Sequence, residues 1–179
     1  MSRLSILEYP DPRLRTKALP VTSFDETLKR LIDDMFETMY AARGMGLAAT
    51  QVDVHLQLIT MDLSAERDAP QVYINPTILS RKNIGIVEES CLSLPGLLAN
   101  VKRATHVRVR AHDSTGTLHD HELEGVPAVC LQHEMDHLDG RLFVDYLSVF
   151  ARLRIRSRLA LRPRRDAHSA AVSPHGESA

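Results

Sequence analysis

Two histidines four residues apart, His133 and His137, with Glu134 beside the first, set the hardest condition on this chain. Residues at that spacing share one face of a helix. Two imidazoles there can bind one metal ion, and Glu134 can reach a water at that metal as general base. The plainer alternative is a polar helix face carrying two solvated histidines. A catalytic site of zinc type takes a third protein ligand, which must come from elsewhere in the chain. The metzincin pattern would place a histidine six residues after the second, but that position is Phe143. Asp145 is a weaker downstream candidate. The other histidines form no second pair at this spacing; His55, His106, His112, His119 and His121 read as surface residues.

Cys91, in VEESCLSLPG, is the better third ligand, because a thiolate is a strong donor to a borderline metal. The only other cysteine is Cys130. It lies three residues before His133, on roughly the same helix face, and reads as a pocket or core residue. A ligand role for it is open but crowded. No secretory leader or membrane span is expected, since prolines and arginines interrupt the first residues. A structural disulfide is therefore not expected. The formal net charge of -1 gives no global field toward DNA or a membrane.

Pattern and turn residues predict the elements. Residues 1–22 read as an extended arm interrupted by Pro10, Pro12 and Pro20. Ser23, with Glu26 three residues on, predicts a helix start. Leu28, Leu31, Ile32, Met35, Phe36, Met39 and Tyr40 continue it at helical spacing toward Gly44. Strands are expected at 56–61, at 72–74 (ended by Asn75-Pro76) and at 84–87. A hairpin of 105–110 and 117–123 is expected about Ser114-Thr115-Gly116. Pro127 opens a second helix that ends near Gly140, and 147–161 reads as a third. Strands and helices do not alternate regularly, so the class is α+β. One domain is expected over residues 1–162, with a disordered tail over 163–179.

GMGLAATQ (residues 44–51), ESCLS (89–93) and QHEMDHLDG (132–140) resemble the three signature motifs of the peptide deformylase family, in the same order. PDPRLRTKA, MFETMY, QVYINP and GRLFVDYL are similar to the family as well, so the resemblance covers roughly residues 4–150. It implies an α+β fold with mixed or antiparallel sheets around the HExxH helix. It implies hydrolysis of the N-formyl group from the formylmethionine of new polypeptides. Cys91, His133 and His137 then match the metal ligands, and Glu134 the acid/base. Gln51 and the Leu92 N–H match the donors to the developing oxyanion. Gly46, Met45, Glu89, Val126, Val129 and Cys130 are the candidates for substrate contact. Ferrous iron is the expected metal, with zinc, nickel and cobalt also suitable. Two positions depart from the pattern: Ser90 stands where glycine is usual, and Leu98 where some members carry arginine. Either departure bears on how substrate is met. The alternatives are another HExxH metallopeptidase, using Asp145 or Cys91, and a catalytically weak binding protein with the same fold.

The last expectation concerns arginines. Between residues 150 and 165, on the predicted third helix and just past it, stand Arg152, Arg154, Arg156, Arg158, Arg162, Arg164 and Arg165 with no acidic residue between them. One reading is a solvated charged face. The other is contact with phosphate backbone, which through the family resemblance means the ribosome. A cytoplasmic location is expected.

Overall fold

The structure is a computed structural model that describes residues 2–160, with side chains through Ile155. Its first compact unit, Met1–Leu147, holds every element except the last helix. Five strands form one sheet: β1 (Gly46–Ala48), β2 (Leu58–Met61), β3 (Gln71–Glu89), β4 (Ala99–His112) and β5 (Leu118–Glu124). They pair in chain order and every pair is antiparallel. Among the described residues the parallel contact is a single bridge, Leu19 to Leu56. The α+β class holds, in its antiparallel form.

Two helices cover opposite faces of the β1–β2 end. Helix α2 (Val126–Leu138) buries Ala128 and Leu131 against Ala48, Ile59, Met61 and Tyr73. Helix α1 (Glu26–Ala41) buries Leu28, Ile32, Met35 and Met39 against Leu47, Leu58 and Ile74. The alternation Leu58 out to α1, Ile59 in to α2 is the two-residue period of a strand. Each fully buried aliphatic side chain here is worth roughly 1.5–3 kcal/mol relative to exposure.

Several boundaries differ from expectation. Helix α1 is capped by Asp25, whose Oδ1 accepts the N–H groups of Thr27 and Leu28 at 2.9 and 3.0 Å, not by Ser23. A carboxylate carries charge to the positive helix end, which a hydroxyl does not. The predicted strands at 72–74 and 84–87 are parts of one long β3. Asn75-Pro76 does not end it; there the register against β4 shifts between Ile74 and Thr77. Asn75 takes a φ of 51°, and proline is tolerated at such a bulge because no ladder hydrogen bond needs its missing N–H.

The arm is extended as expected apart from a 3-10 turn at Pro12–Arg15. Its backbone is tied along its length. Leu7 N–H donates to Gln51 O, Tyr9 N–H to Ser93 O, and Ala18 N–H to Leu138 O, at 2.7–2.8 Å. The second unit begins at Ser148 and contains α3 (Val149–Ala160). Val149, Phe150 and Leu153 are exposed on it, as are Arg152 and Arg154. The side chains of Arg156 and Arg158 lie outside the described residues, as do Arg162, Arg164, Arg165 and the expected tail. No helix of the described residues is long and apolar enough to cross a membrane.

Gly140 ends α2 with a φ of +70°, and a Cβ there would run into the carbonyl group of Arg15. A left-handed conformation alone costs a residue with a side chain roughly 1–2 kcal/mol. Gly140→Ala is therefore expected to lower stability by at least about 2 kcal/mol. Urea titration measures the loss; an unchanged midpoint would show that the arm yields freely.

Candidate metal centre

Helix α2 has polar residues on its buried side. Gln132, His133, Glu134 and His137 are all buried, three of them from the HExxH segment. Gln132 fixes the helix against the sheet. Its Oε1 accepts the Ala104 N–H at 3.2 Å and its Nε2 donates to Ala104 O at 2.8 Å, as a neighbouring strand would. That locks the rotation of α2 and points His133 and His137 at the turn after β3.

That turn supplies Cys91, which is buried. One ligand atom each from Cys91, His133 and His137 lies within 4.8 Å of the others. Cys91 Sγ is 3.1 Å from His137 Nε2. Glu89 Oε2 sits 2.8 Å from His133 Nδ1, so that nitrogen carries the hydrogen and leaves the Nε2 lone pair for a metal. Burial holds His137 well below the usual histidine range, in its neutral ligand form. A thiolate with two imidazoles fits a divalent transition metal.

Asp145 is committed elsewhere. It accepts N–H groups from both terminal guanidinium nitrogens of Arg15, one at 2.9 Å, and the Leu142 N–H at 2.9 Å. Phe143 is buried with its ring 6.1 Å from that of His133, so the position of the missing histidine is a wall of the site.

Glu134 is buried, and its Oε2 has no hydrogen-bond partner among the described residues. Burial pushes its pKa up to about 7, against the pull of His133. Its other oxygen faces β1: a Cβ added to Gly46 would stand 2.6 Å from Glu134 Oε1 and 2.8 Å from Cys130 Sγ. Gly46, Cys130 and Glu134 therefore share one wall, where α2 packs on the edge strand β1. Burial raises the Cys130 thiol pKa, so this sulfur stays protonated. Met45 and Val126 are exposed and Val129 is half-buried. The chain alone ties them to this wall, Met45 beside Gly46 and Val126 one turn before Cys130.

Gln51 lies in a 3-10 turn, Ala49–Val52, pinned to the end of α2 by Thr50 Oγ1 donating to His137 O at 3.1 Å. Its Nε2 is 3.7 Å from Cys91 Sγ. Leu92 follows Cys91 on the turn and is half-buried. Ser90 and Leu98 are exposed on either side of that turn.

Glu89, expected among the substrate contacts, instead turns both carboxylate oxygens inward. Besides His133 it accepts Arg103 Nε at 2.6 Å and Nη2 at 3.1 Å. Arg103 Nη1 donates to Asp136 at 2.6 Å, and Asp136 accepts the Tyr146 hydroxyl at 2.8 Å. Burial alone would raise the Glu89 pKa, but the bonds from His133 and Arg103 outweigh it and hold the carboxylate ionised. Sequence reasoning missed both Arg103 and Asp136. The signal was present: extending the alternation of Val107 and Val109 back along β4 puts Arg103 on the inward side with Val101.

Removing one partner of a buried ion pair strands the other, at a cost of about 3–5 kcal/mol. Arg103→Met is expected to lower stability by that amount and to speed metal loss to a chelator. Denaturant titration and competitive chelation measure the two. Wild-type values in both would show that Glu89 is held without Arg103.

Residues 3–152 match the sequence model of a family described as polypeptide deformylase. A peptide deformylase of Hahella chejuensis is 54% identical over 160 residues, covering 89% of this chain and 95% of that protein. One of Pseudomonas aeruginosa is 51% identical over 168 residues, covering 93% and 100%. The crystal structure of a peptide deformylase from Legionella pneumophila matches with a TM-score of 0.85 at 46% identity, over 90% of this chain and 100% of that one. That of the Ehrlichia chaffeensis enzyme in complex with actinonin matches with a TM-score of 0.87 at 37% identity, over 92% and 99%. With matches that run from the arm through β1, the Cys91 turn and α2, this chain belongs to the peptide deformylase family.

Proposed function

We propose that this chain hydrolyses the N-formyl group from the formylmethionine that begins a nascent polypeptide, releasing formate and a free amino terminus. The observation that carries the reading is the convergence of Cys91, His133 and His137 beside a buried Glu134 that faces a glycine on a sheet edge. Cys91, His133 and His137 hold one divalent metal. Ferrous iron is the proposed resident, and zinc, nickel or cobalt suit the same donors. When bound, such a metal would lower the pKa of a water it holds toward neutrality.

The chain's own groups supply the rest. The edge of β1 at Gly46 takes the substrate backbone as an added strand, and the missing side chain lets it approach Glu134. Met45, Val126, Val129 and Cys130 enclose the methionine side chain. Glu134 takes the proton from the attacking water and returns it to the leaving amine. Gln51 Nε2 and the Leu92 N–H donate to the formyl oxygen as it gains charge. Losing one such donor typically costs about 2.7–4 kcal/mol of transition-state stabilisation.

Glu134→Ala is expected to keep stoichiometric metal and lose nearly all formate release from a formyl-Met peptide. Metal analysis and a formate assay, with an unformylated peptide as control, test this. Near-normal turnover, or metal loss with the substitution, would contradict the proton-transfer role. Cleavage of the unformylated peptide would point to a peptidase instead.

We further propose cytoplasmic action at the ribosome, with the arginines of α3 and the residues after it on ribosomal RNA. Truncation after Phe150 is then expected to spare hydrolysis of small formyl peptides and to weaken ribosome binding. Binding of the full chain should fall steeply with salt, by a slope set by the number of phosphates contacted. Equal ribosome affinity with and without the segment would rule the docking out.

A further inference from the structure

A glutamine amide serves as a donor in only one of its two orientations, which differ by a half-turn of its last bond. At Gln51 two neighbours select between them. The Ala48 N–H can only donate, and it meets Gln51 Oε1 at 2.9 Å. That places Nε2 at the other end, 3.1 Å from Ser93 Oγ and 3.7 Å from Cys91 Sγ. Gln51 and Ser93 are 1% and 0% exposed, so bulk water does not compete for either bond. The arm fastens both backbones, through Leu7 N–H to Gln51 O at 2.7 Å and Tyr9 N–H to Ser93 O at 2.8 Å.

We infer that Ser93 is a positioning residue: its hydroxyl oxygen holds one Nε2 hydrogen of Gln51 and so aims the other at the reacting oxygen beside Cys91. The inference rests on the donor role proposed for Gln51. The physical reason is preorganisation. A donor acts on a developing charge most strongly when it needs no reorientation as the charge appears. With Ser93 Oγ gone, the Ala48 N–H still marks the carbonyl end. The planar amide is then held at Nε2 only by the longer contact to Cys91 Sγ, so it rocks as one unit about its last bond and Nε2 spends part of its time tilted away from the substrate. The loss falls on the transition state more than on substrate binding, so it appears in kcat and not in KM.

The test uses the metal-loaded full chain. Ser93→Ala is expected to lower kcat for a formyl-Met peptide by about tenfold, the worth of one hydrogen bond, with KM and metal content unchanged. Ser93→Thr, which keeps the hydroxyl, should recover most of the loss. Gln51→Ala sets the scale at roughly 10²–10³-fold. Ser93→Ala combined with Gln51→Ala should be no slower than Gln51→Ala alone, because the positioning residue then has nothing to position. Losses that multiply in the double variant, or a wild-type kcat in Ser93→Ala, would overturn the inference. A second readout does not depend on turnover. In ¹⁵N-labelled, zinc-loaded protein, the Gln51 side-chain amide hydrogens should exchange with solvent at least about tenfold faster in Ser93→Ala. Unchanged exchange overturns the tether. If Gln51→Ala leaves kcat intact the inference also falls, and the exchange result then shows whether the donor role or the tether was at fault.

Discussion

Everything at this site depends on keeping a carboxylate charged in the protein interior. Glu89 is 5% exposed and Arg103 6%, and each would be costly to bury alone. Together they satisfy one another, and the surplus valences go to work on either side. Glu89 reaches forward to His133 Nδ1, while Arg103 reaches back to Asp136 on the same helix. The pair thus clamps α2 at two points, 133 and 136. It fixes the helix against β4 and the tautomer of the metal-facing imidazole by one set of bonds. Tyr146, itself nearly half exposed, places its ring centroid 5.0 Å from the Arg103 guanidinium carbon and adds a cation–π contact on the outer side of the cluster.

That arrangement lets the two carboxylates near His133 do opposite things. Glu89 has an arginine and an imidazole as partners and stays ionised. Glu134 is buried with one oxygen unpartnered among the described residues, and its pKa rises to about 7. An ionised carboxylate and one whose pKa is raised stand on either side of one histidine, distinguished by environment and not by residue type. Small residues complete the geometry. Gly46 brings a sheet edge against Glu134, and Gly140 lets the arm cross the end of α2. Earlier in the arm, Leu7 and Tyr9 bind the backbones of Gln51 and Ser93, so these two residues hold the site's loops in place through their N–H groups.

Much of this was legible in the chain. The period of α1, the proline start and glycine end of α2, and the turn at 114–116 follow from local rules, and the structure keeps them to within a few residues. The metal group was legible for a different reason. His133 and His137 are paired by helical geometry, and Phe143 removes the usual third histidine, which leaves a short list that includes Cys91. Where local rules failed, a tertiary partner decided. Asn75-Pro76 looks like a strand end, but β4 lies alongside and carries β3 through it as a bulge. Glu89 stood among the candidates for substrate contact. Its partners come from 14 and 44 residues away, so nothing local reveals which way it faces.

The sequence by itself therefore determined the class of fold, the helix that carries the histidines, and the residue types able to hold a metal. These are properties of spacing and of side-chain chemistry, which the chain carries wherever it folds. Only the tertiary structure decided that Arg103 supports Glu89, that Ser93 meets Gln51, and that Asp145 belongs to Arg15 and not to the site. Those choices depend on which surfaces meet when β4, the Cys91 turn and the arm close on α2. The desolvation of each polar group on closing selects the partner that satisfies it.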